Sequence, residues 1–271
     1  MPFIVELFTA KSCVAPHPSV ELTVPSDFRI IGGGAFDDWK GYGNLLTACH
    51  PKGTQTWFAA GKDHEVSDPA SITAYAFALY DPYHDWAVFP QPSDPKPPAS
   101  ENVTTAKLPT DYILTGGGAR VDYTGAGNML TASYPLFDPA TERYSSWEAR
   151  SKDHDIVDRA PISAWAIGVI PPFGMNIEVQ VFSSAPVPSP PGQPAMARAC
   201  LPDDQEWVLI GGGAFDNWKS VGGDGNLLTA SYPDLSGDPN HPRCWLALGK
   251  DHKHPSGTMI QAYAIGMREK K

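Results

Sequence analysis

Two polar elements recur three times along the chain and carry the side chains best suited to binding a ligand. One is an asparagine that follows a glycine and opens an apolar segment, and its copies are Asn44, Asn128 and Asn226. The other is a Lys-Asp-His tripeptide that closes a segment beginning with tryptophan, and its copies are Lys62, Asp63 and His64, then Lys152, Asp153 and His154, then Lys250, Asp251 and His252. Amide, carboxylate, ammonium and imidazole groups supply the mixed donors and acceptors that sugar hydroxyls require. These residues are therefore the predicted carbohydrate-binding residues.

Aromatic side chains accompany both elements and could stack on the apolar face of a sugar ring. The candidates are Trp57, Trp147 and Trp245, and Tyr75, Trp165 and Tyr263. The three tryptophans open alternating, strand-like segments, and large aromatic residues at such positions are typical of a core. A core position is therefore expected for them.

A structural interpretation of the same polar residues competes with the binding one. Strand alternation places Asp63 on the face of Trp57, where its carboxylate can bond turn amides, and Gly-Asn is common turn chemistry. If the tripeptide binds a ligand, alternation directs Lys62 and His64 outward. If it closes a hairpin instead, each histidine is buried and bonded to the backbone. Repetition does not decide between the two, because a requirement of the fold would be repeated as well.

Metal binding is a third possibility for the histidines. Three imidazoles and a water are a familiar zinc ligand set, but the strand ends must then point to a common axis. Calcium needs several oxygens close in sequence, and only Asp37 and Asp38, matched by Asp216 and Asn217, hint at such a site. We expect no metal and no other cofactor.

Enzyme signatures are missing from the sequence. It contains no GxSxG, HExxH, paired CxxC or phosphate-binding loop motif. A catalytic site is usually a single asymmetric set of residues, whereas the polar signals here are repeated. We expect a protein that binds its ligand without catalysing a reaction.

Three long, similar segments must position these residues. GGGAFDDWKGYGNLLTACHP, GGGARVDYTGAGNMLTASYP and GGGAFDNWKSVGGDGNLLTASYP begin at Gly32, Gly116 and Gly211. A tryptophan segment and an alternating AYA or AWA segment follow each one, without helical periodicity. The pattern predicts about five strands in each of three repeats, at 2–83, 84–174 and 175–271. The predicted fold is all-β, with the three homologous repeats around a pseudo-threefold axis in one compact domain.

The glycine triplets that open these segments have two possible roles. A phosphate-binding loop precedes a helix and brings a lysine and a hydroxyl residue, and neither context is present. The triplets instead predict β-bulges or close backbone packing.

Charge and composition narrow the choice of partner. The chain has 271 residues, of which 20 are Lys or Arg and 30 are Asp or Glu, giving a formal net charge of −10. An acidic protein is poorly suited to nucleic acid or an anionic membrane surface, since both attract clustered Lys and Arg. No apolar run approaches the roughly 20 residues that span a bilayer. The expected partners are glycans or glycoconjugates, and a homo-oligomer is possible.

The cysteines give no sign of a disulfide belonging to the repeat. Cys13, Cys49, Cys200 and Cys244 occupy no equivalent positions in the three copies. The first residues also lack the basic segment of a signal peptide. We expect free thiols and no disulfide shared by the repeats, with a single bridge outside the repeat pattern left as the alternative. The expected location is the cytoplasm, or release without a classical signal peptide.

Three strand-rich units with polar strand ends resemble, in repeat layout, the β-prism and related threefold lectins. The resemblance spans the chain, although the mannose-lectin pattern QxDxNxVxY is absent and the repeats are longer than lectin units. It implies a sugar site at the end of each unit and binding strengthened by multivalency. The predicted function is carbohydrate binding at up to three equivalent sites. The alternative is a receptor-binding or toxin-associated interaction module.

Overall fold

The computed structural model describes residues 3–94, 96–203, 206–220 and 226–270. These residues form strands and one short 3-10 helix, which confirms the all-β prediction. The first repeat contains β1 Val5–Lys11, β2 Ser19–Thr23, β3 Phe28–Asp37, β4 Asn44–Pro51, β5 Thr56–Asp63 and β6 Ile72–Tyr80. The second contains β7 Ala87–Pro92, β8 Glu101–Lys107, β9 Ile113–Val121, β10 Asn128–Asp138, β11 Arg143–Asp153 and β12 Ile162–Ile170. The third contains β13 Ile177–Ser183, β14 Val187–Ser189, β15 Ala195–Cys200, β16 Val208–Asp216, the 3-10 helix Trp218–Ser220, β17 Leu227–Pro233, β18 Cys244–Lys250 and β19 Thr258–Glu269.

Among the described residues the first two repeats have six strands each and the third has seven, since it also contains the short β14; about five were predicted for each. The additional strands common to all three repeats are β2, β8 and β15, which follow proline-rich loops and pair with the tryptophan strands β5, β11 and β18. Their alternation is easy to miss because the buried face carries small or polar side chains. In β8 that face consists of Asn102, Thr104 and Ala106.

The strands form three antiparallel sheets, and each sheet joins strands of two repeats. Sheet I has the order β1-β6-β3-β17-β18-β15 and joins the first repeat to the third. Sheet II has the order β13-β19-β16-β10-β11-β8 and joins the third to the second, with β14 also paired to β19. Sheet III has the order β2-β5-β4-β9-β12-β7 and joins the first to the second. Among the described strands, every repeat therefore contributes to two sheets.

We use the word seam for the place in each sheet where strands of two repeats pair. The first seam lies between β4 and β9, the second between β10 and β16, and the third between β17 and β3. The three seams share one register, since equivalent residues face each other in all of them. The pairs are Cys49 with Ala119, Ser133 with Ala214, and Ser231 with Ala35.

The glycine triplets permit close packing, as predicted. A Cβ atom on Gly32 would overlap the backbone of Ile210, and one on Gly116 would overlap the backbone of Gly32. The second glycine of each triplet lies against a tryptophan ring, as Gly117 does against Trp147. A register shift also accompanies every triplet. The repeats can approach so closely only because these positions carry no side chain.

The core lies between the sheets and is shared by the repeats. Trp57, Trp147 and Trp245 are at most 1% exposed, which confirms the core position expected for them. One hydrophobic cluster contains side chains of all three repeats. The Trp147 indole N–H donates to Ser133 Oγ at 2.9 Å, and the third repeat makes the equivalent bond.

The prediction of free thiols is wrong for two of the four cysteines. Cys200 and Cys244 are bonded and face each other on β15 and β18, with Cα atoms 4.0 Å apart. Only the third repeat has cysteines at both positions, so comparing the copies could not reveal the pair. Cys13 and Cys49 are free thiols.

Among the described residues no helix is long and apolar enough to cross a membrane.

Candidate functional site

The three tripeptide histidines meet in the interior. The ring centroids of His64 and His252 lie 5.0 Å apart, those of His154 and His252 lie 5.4 Å apart, and those of His64 and His154 lie 5.7 Å apart. None of the three residues is more than 3% exposed. The three strand ends therefore do bring their histidines together, which the sequence alone could not establish.

Two of these histidines reach the backbone of another repeat. His64 Nε2 lies 2.7 Å from the carbonyl oxygen of His154, and His154 Nε2 lies 2.6 Å from that of His252. Burial lowers the pKa of His154, and it lowers the pKa of His252 to about 4. Both imidazoles are therefore neutral near pH 7, and each retains one nitrogen lone pair.

The tripeptide lysines tie one repeat to another. Lys62 of the first repeat donates from Nζ to the carbonyl oxygens of Gly125 and Ala126 in the second. Lys250 of the third repeat donates at 2.9 Å to the carbonyl oxygen of Gly41 in the first. Burial lowers the pKa of Lys250 to about 8. These lysines fix loops of a different repeat and are only 3% and 6% exposed.

Aromatic rings that sequence reasoning overlooked complete the lysine sites. Each ammonium lies 4.0–4.7 Å from the centroid of a ring in another repeat, which is a favourable cation–π arrangement. The pairs are Lys62 with Tyr123, Lys152 with Trp218, and Lys250 with Trp39. An aromatic residue recurs at this position in all three copies, and that recurrence is the signal that could have identified them.

The tripeptide aspartates and the repeated asparagines also bind the protein itself. Asn44 is fully buried, and its Nδ2 donates to Asp63 Oδ1 at 2.8 Å and to the carbonyl oxygen of Pro16 at 2.9 Å. Asp251 accepts the backbone N–H of Ser256 at 3.0 Å. The equivalent asparagine and aspartate residues also bond to nearby backbone, namely Asn128, Asn226 and Asp153.

A ligand-binding tripeptide was expected to direct its lysine and histidine toward solvent. That expectation is wrong, since Lys62 and His64 are buried. Alternation directs Lys62 and His64 away from Trp57, but a loop of the second repeat covers that side of the strand end. The residue after each histidine also has a positive φ, between 58° and 59°, where the chain turns. The geometry is the one expected of hairpin closure. Carbohydrate binding by the twelve residues stays a prediction, since these contacts do not test it.

A buried carboxyl group lies beside the first tripeptide. Asp37 is fully buried, and neither carboxyl oxygen has a hydrogen-bond partner among the described residues. Burial, together with neighbouring carboxylates of which Asp68 acts most strongly, raises the pKa of Asp37 to about 8. A Cβ atom on Gly61 would overlap both Asp37 Oδ2 and Asn44 Oδ1, so the carboxyl group and the amide occupy the space that a side chain at this position would need.

The second repeat differs from the first at both positions of this contact. Val121 replaces Asp37 there, and Ser151 replaces Gly61. A residue with a Cβ atom fits at the second position only when the carboxyl group is absent from the first. Asp37 and Gly61 are therefore replaced together, and this joint replacement indicates from sequence that the two positions are in contact.

A cleft of about 400 Å³ lies beside the first seam. Its lining includes the charged and imidazole side chains of His17, His50, Lys52, Arg120 and Asp122 and the aromatic rings of Phe58 and Tyr123. Arg120 and Asp122 form an exposed ion pair at 2.5 Å. The cleft therefore combines cationic, anionic and aromatic groups from two repeats.

His50 forms the floor of this cleft. It is 3% exposed and stacks on Trp165, with centroids 4.2 Å apart and planes at 13°. Its Nδ1 lies 2.9 Å from the carbonyl oxygen of Pro51, while Nε2 has no hydrogen-bond partner among the described residues. Burial lowers the pKa of His50 to about 4. A neutral ring that donates from Nδ1 presents Nε2 as an acceptor.

The other aromatic candidates serve the protein's own packing. Tyr75 and Tyr263 are buried, and each packs across a seam against a tyrosine of another repeat, Tyr75 against Tyr232 of β17 with tilted rings and Tyr263 against Tyr134 of β10 with stacked rings. Trp165 packs against His50 in the equivalent place.

No protein-family model matches this chain, and no curated protein is significantly similar to it.

Proposed function

We propose that the protein binds carbohydrate without catalysing a reaction and that its principal site is the cleft at the first seam. The observation that carries the proposal is the cleft's open volume of about 400 Å³, which falls within the range of small-ligand sites. Its lining offers acceptors, donors and two half-buried aromatic side chains, which is the mixture that a polyhydroxylated ring requires.

The charged side chains of the cleft support the same conclusion. Arg120 and Asp122 at the rim then provide one cationic donor and one anionic acceptor for neighbouring hydroxyls. Phe58 offers a ring that can stack on the apolar face of the sugar.

This proposal replaces three equal sites with one dominant site. The cyclic sharing of sheets supports a pseudo-threefold arrangement of the repeats, comparable in layout to the threefold lectins. Equivalent backbone does not make equivalent sites, however, because the recess at the second seam holds only about 60 Å³. Avidity then requires several copies of the chain on one glycan-bearing surface.

A glycan array probed with the full chain tests the proposal, followed by calorimetric titration of the best glycan. Arg120→Ala should weaken binding at least tenfold, because it removes an exposed cation from the cleft. Lys219→Ala is the matched control, since Lys219 is an exposed cation at the second seam that also pairs with a carboxylate. Equal loss in both variants, or an array without any bound glycan, would contradict the proposal.

A second candidate is an interaction module that binds a protein receptor. Tyr83 and Phe173 occupy equivalent turns and are 82% and 109% exposed. Aromatic side chains exposed in this way are common anchors of protein interfaces. Binding to enzymatically deglycosylated cells that is lost in a Tyr83→Ser, Phe173→Ser double variant would favour this function over carbohydrate binding.

A further inference from the structure

Four side chains with metal-ligating atoms lie together where the tripeptides of the second and third repeats meet. We call His154, Asp155, His252 and His254 the His-Asp cluster. One ligand atom from each of the first three lies within 4.8 Å of the others. His254 Nε2 lies 3.3 Å from Asp155 Oδ1 and adds a fourth potential ligand. His254 has no histidine counterpart in the other two repeats.

The two buried imidazoles of the cluster have nitrogens that no hydrogen bond satisfies. Among the described residues, His154 Nδ1 and both ring nitrogens of His252 have no hydrogen-bond partner. Buried polar atoms in native proteins are almost always bonded, so such atoms require an explanation. A metal ion takes the lone pair of one nitrogen on each ring. On His154 it would take that of Nδ1 and leave Nε2 to donate to the carbonyl oxygen of His252, which is how metal-binding histidines are commonly held.

We propose that the His-Asp cluster binds one divalent transition-metal ion, with His154, Asp155 and His252 as ligands and His254 as the fourth. Imidazole and carboxylate ligands suit Zn²⁺, whereas Ca²⁺ and Mg²⁺ prefer oxygen ligands alone. Tetrahedral bonds of about 2.0–2.1 Å place the ligand atoms about 3.4 Å apart. The atoms of His154, Asp155 and His252, which lie within 4.8 Å of one another, must therefore approach by up to about 1.4 Å. The His254 side chain is 56% exposed and can move inward, whereas Asp155 must give up its ion pair with Lys253.

Lys253 is the main competitor of such an ion. Its ammonium lies 3.2 Å from Asp155 Oδ2 and also pairs with Glu65. In the first two repeats the residue after the histidine is acidic, namely Glu65 and Asp155, and Lys253 is its counterpart in the third. The ammonium therefore lies where a cation is attracted by two carboxylates. Removing it frees Asp155 for the metal and removes a repulsive charge.

Isothermal titration of Zn²⁺ into the EDTA-treated full chain tests the site. We expect one ion per chain in the wild type. Asp155→Asn and His254→Ala should each weaken binding tenfold or more, and Lys253→Met should tighten it. His241→Ala is the control, because this exposed histidine also pairs with an aspartate but lies outside the cluster. Substitution of His252 is avoided because its burial makes unfolding a competing explanation.

Two further measurements separate a metal site from a purely structural cluster. The metal-free variants lose ion pairs near the surface, so their melting temperatures should fall only slightly, and added Zn²⁺ should raise the melting temperature of the wild type alone. Titration with Co²⁺ should give the intense visible bands of tetrahedral coordination. No Zn²⁺ binding by the wild type, or equal binding by Asp155→Asn and His254→Ala, overturns the proposal.

Discussion

The first and second seams share one backbone arrangement and differ in what fills the space beside it. At the second seam Arg150 occupies the position of Ala60, and its guanidinium lies 4.8 Å from the ring of Phe215. Glu148 holds Arg150 at 2.7 Å and accepts the hydroxyl of Tyr134 at 2.6 Å. At the first seam the small Ala60 leaves the cleft open.

This difference between the seams indicates which residues of a repeated protein are candidates for a functional site. Residues present in all three copies, such as the tripeptide lysines and histidines and the glycine triplets, are buried and contact other parts of the protein. Residues that differ between copies, such as His50 against Tyr134, decide whether a seam is open or filled. Repetition therefore indicates the frame, and divergence indicates the candidate site.

The largest expected effect comes from damaging the frame. Gly117→Ala should destabilise the protein by roughly 3 kcal/mol or more, because a Cβ atom there overlaps the buried ring of Trp147. Chemical denaturation monitored by tryptophan fluorescence measures the loss. Gly237→Ala is the control, since no atom lies within 4 Å of its added Cβ. Similar stability of the two variants would show that the frame is not this tightly packed.

The buried carboxyl group of Asp37 should make stability depend on pH. Its folded pKa of about 8 lies above the unfolded value near 3.8, so the folded state binds more protons between these values. Stability therefore falls as pH rises toward 8, by up to about 1.4 kcal/mol per pH unit. Burial lowers the folded pKa of His50 to about 4, so the opposite effect of that group is confined to pH values below about 6.5.

Asp37→Asn isolates this contribution, because an amide has nearly the same shape as the carboxyl group and does not ionise. The free energy of unfolding, measured by urea denaturation between pH 6.5 and pH 8, should fall less steeply than in the wild type. Asp38→Asn, which changes an exposed carboxylate, should keep the wild-type slope. An unchanged slope in the Asp37 variant would mean that Asp37 is ionised throughout this range.

Loss of a tripeptide lysine should have an intermediate effect. Lys62→Met removes the donor to the carbonyl oxygens of Gly125 and Ala126 and should destabilise the protein by about 1–3 kcal/mol. Lys52→Met removes a half-exposed ammonium and should change stability by less than about 0.5 kcal/mol. Thermal denaturation of both variants makes the comparison. If Lys62→Met is as stable as the wild type, the structural role of Lys62 is contradicted and the ligand-binding interpretation of the tripeptide is favoured.

The smallest effect on stability should come from converting the first seam into a copy of the second. Ala60→Arg places a long side chain in the cleft, where Asp122 can pair with it, and should change stability by less than about 1 kcal/mol. Glycan binding should nevertheless be lost, as measured by the same titration used for the wild type. Retained binding would locate the carbohydrate site outside the cleft.

Local patterns in the sequence were enough to predict the strands, the tryptophan core and the packing role of the glycine triplets. The direction of Lys62 and His64 was not predictable, because it depends on a loop of another repeat that covers the strand end. The Cys200–Cys244 bridge was missed because it occurs in the third repeat alone. The open cleft was missed because it is formed by one pair of repeats, the first and the second. Pairing of strands between repeats is a long-range choice that no local pattern encodes.

The sharing of each sheet by two repeats also constrains how the chain acquires its structure during synthesis. Strand β3 pairs with β17, which is synthesised much later. The first repeat therefore leaves the ribosome with an unpaired strand edge, and other chains can pair with that edge until the third repeat has been made. Such distant pairing slows folding and exposes edges to aggregation. A fragment containing one repeat has two half-sheets to complete, and copies of itself are the partners whose edges match. Cellular production of this protein should therefore depend on chaperones that protect the nascent edges.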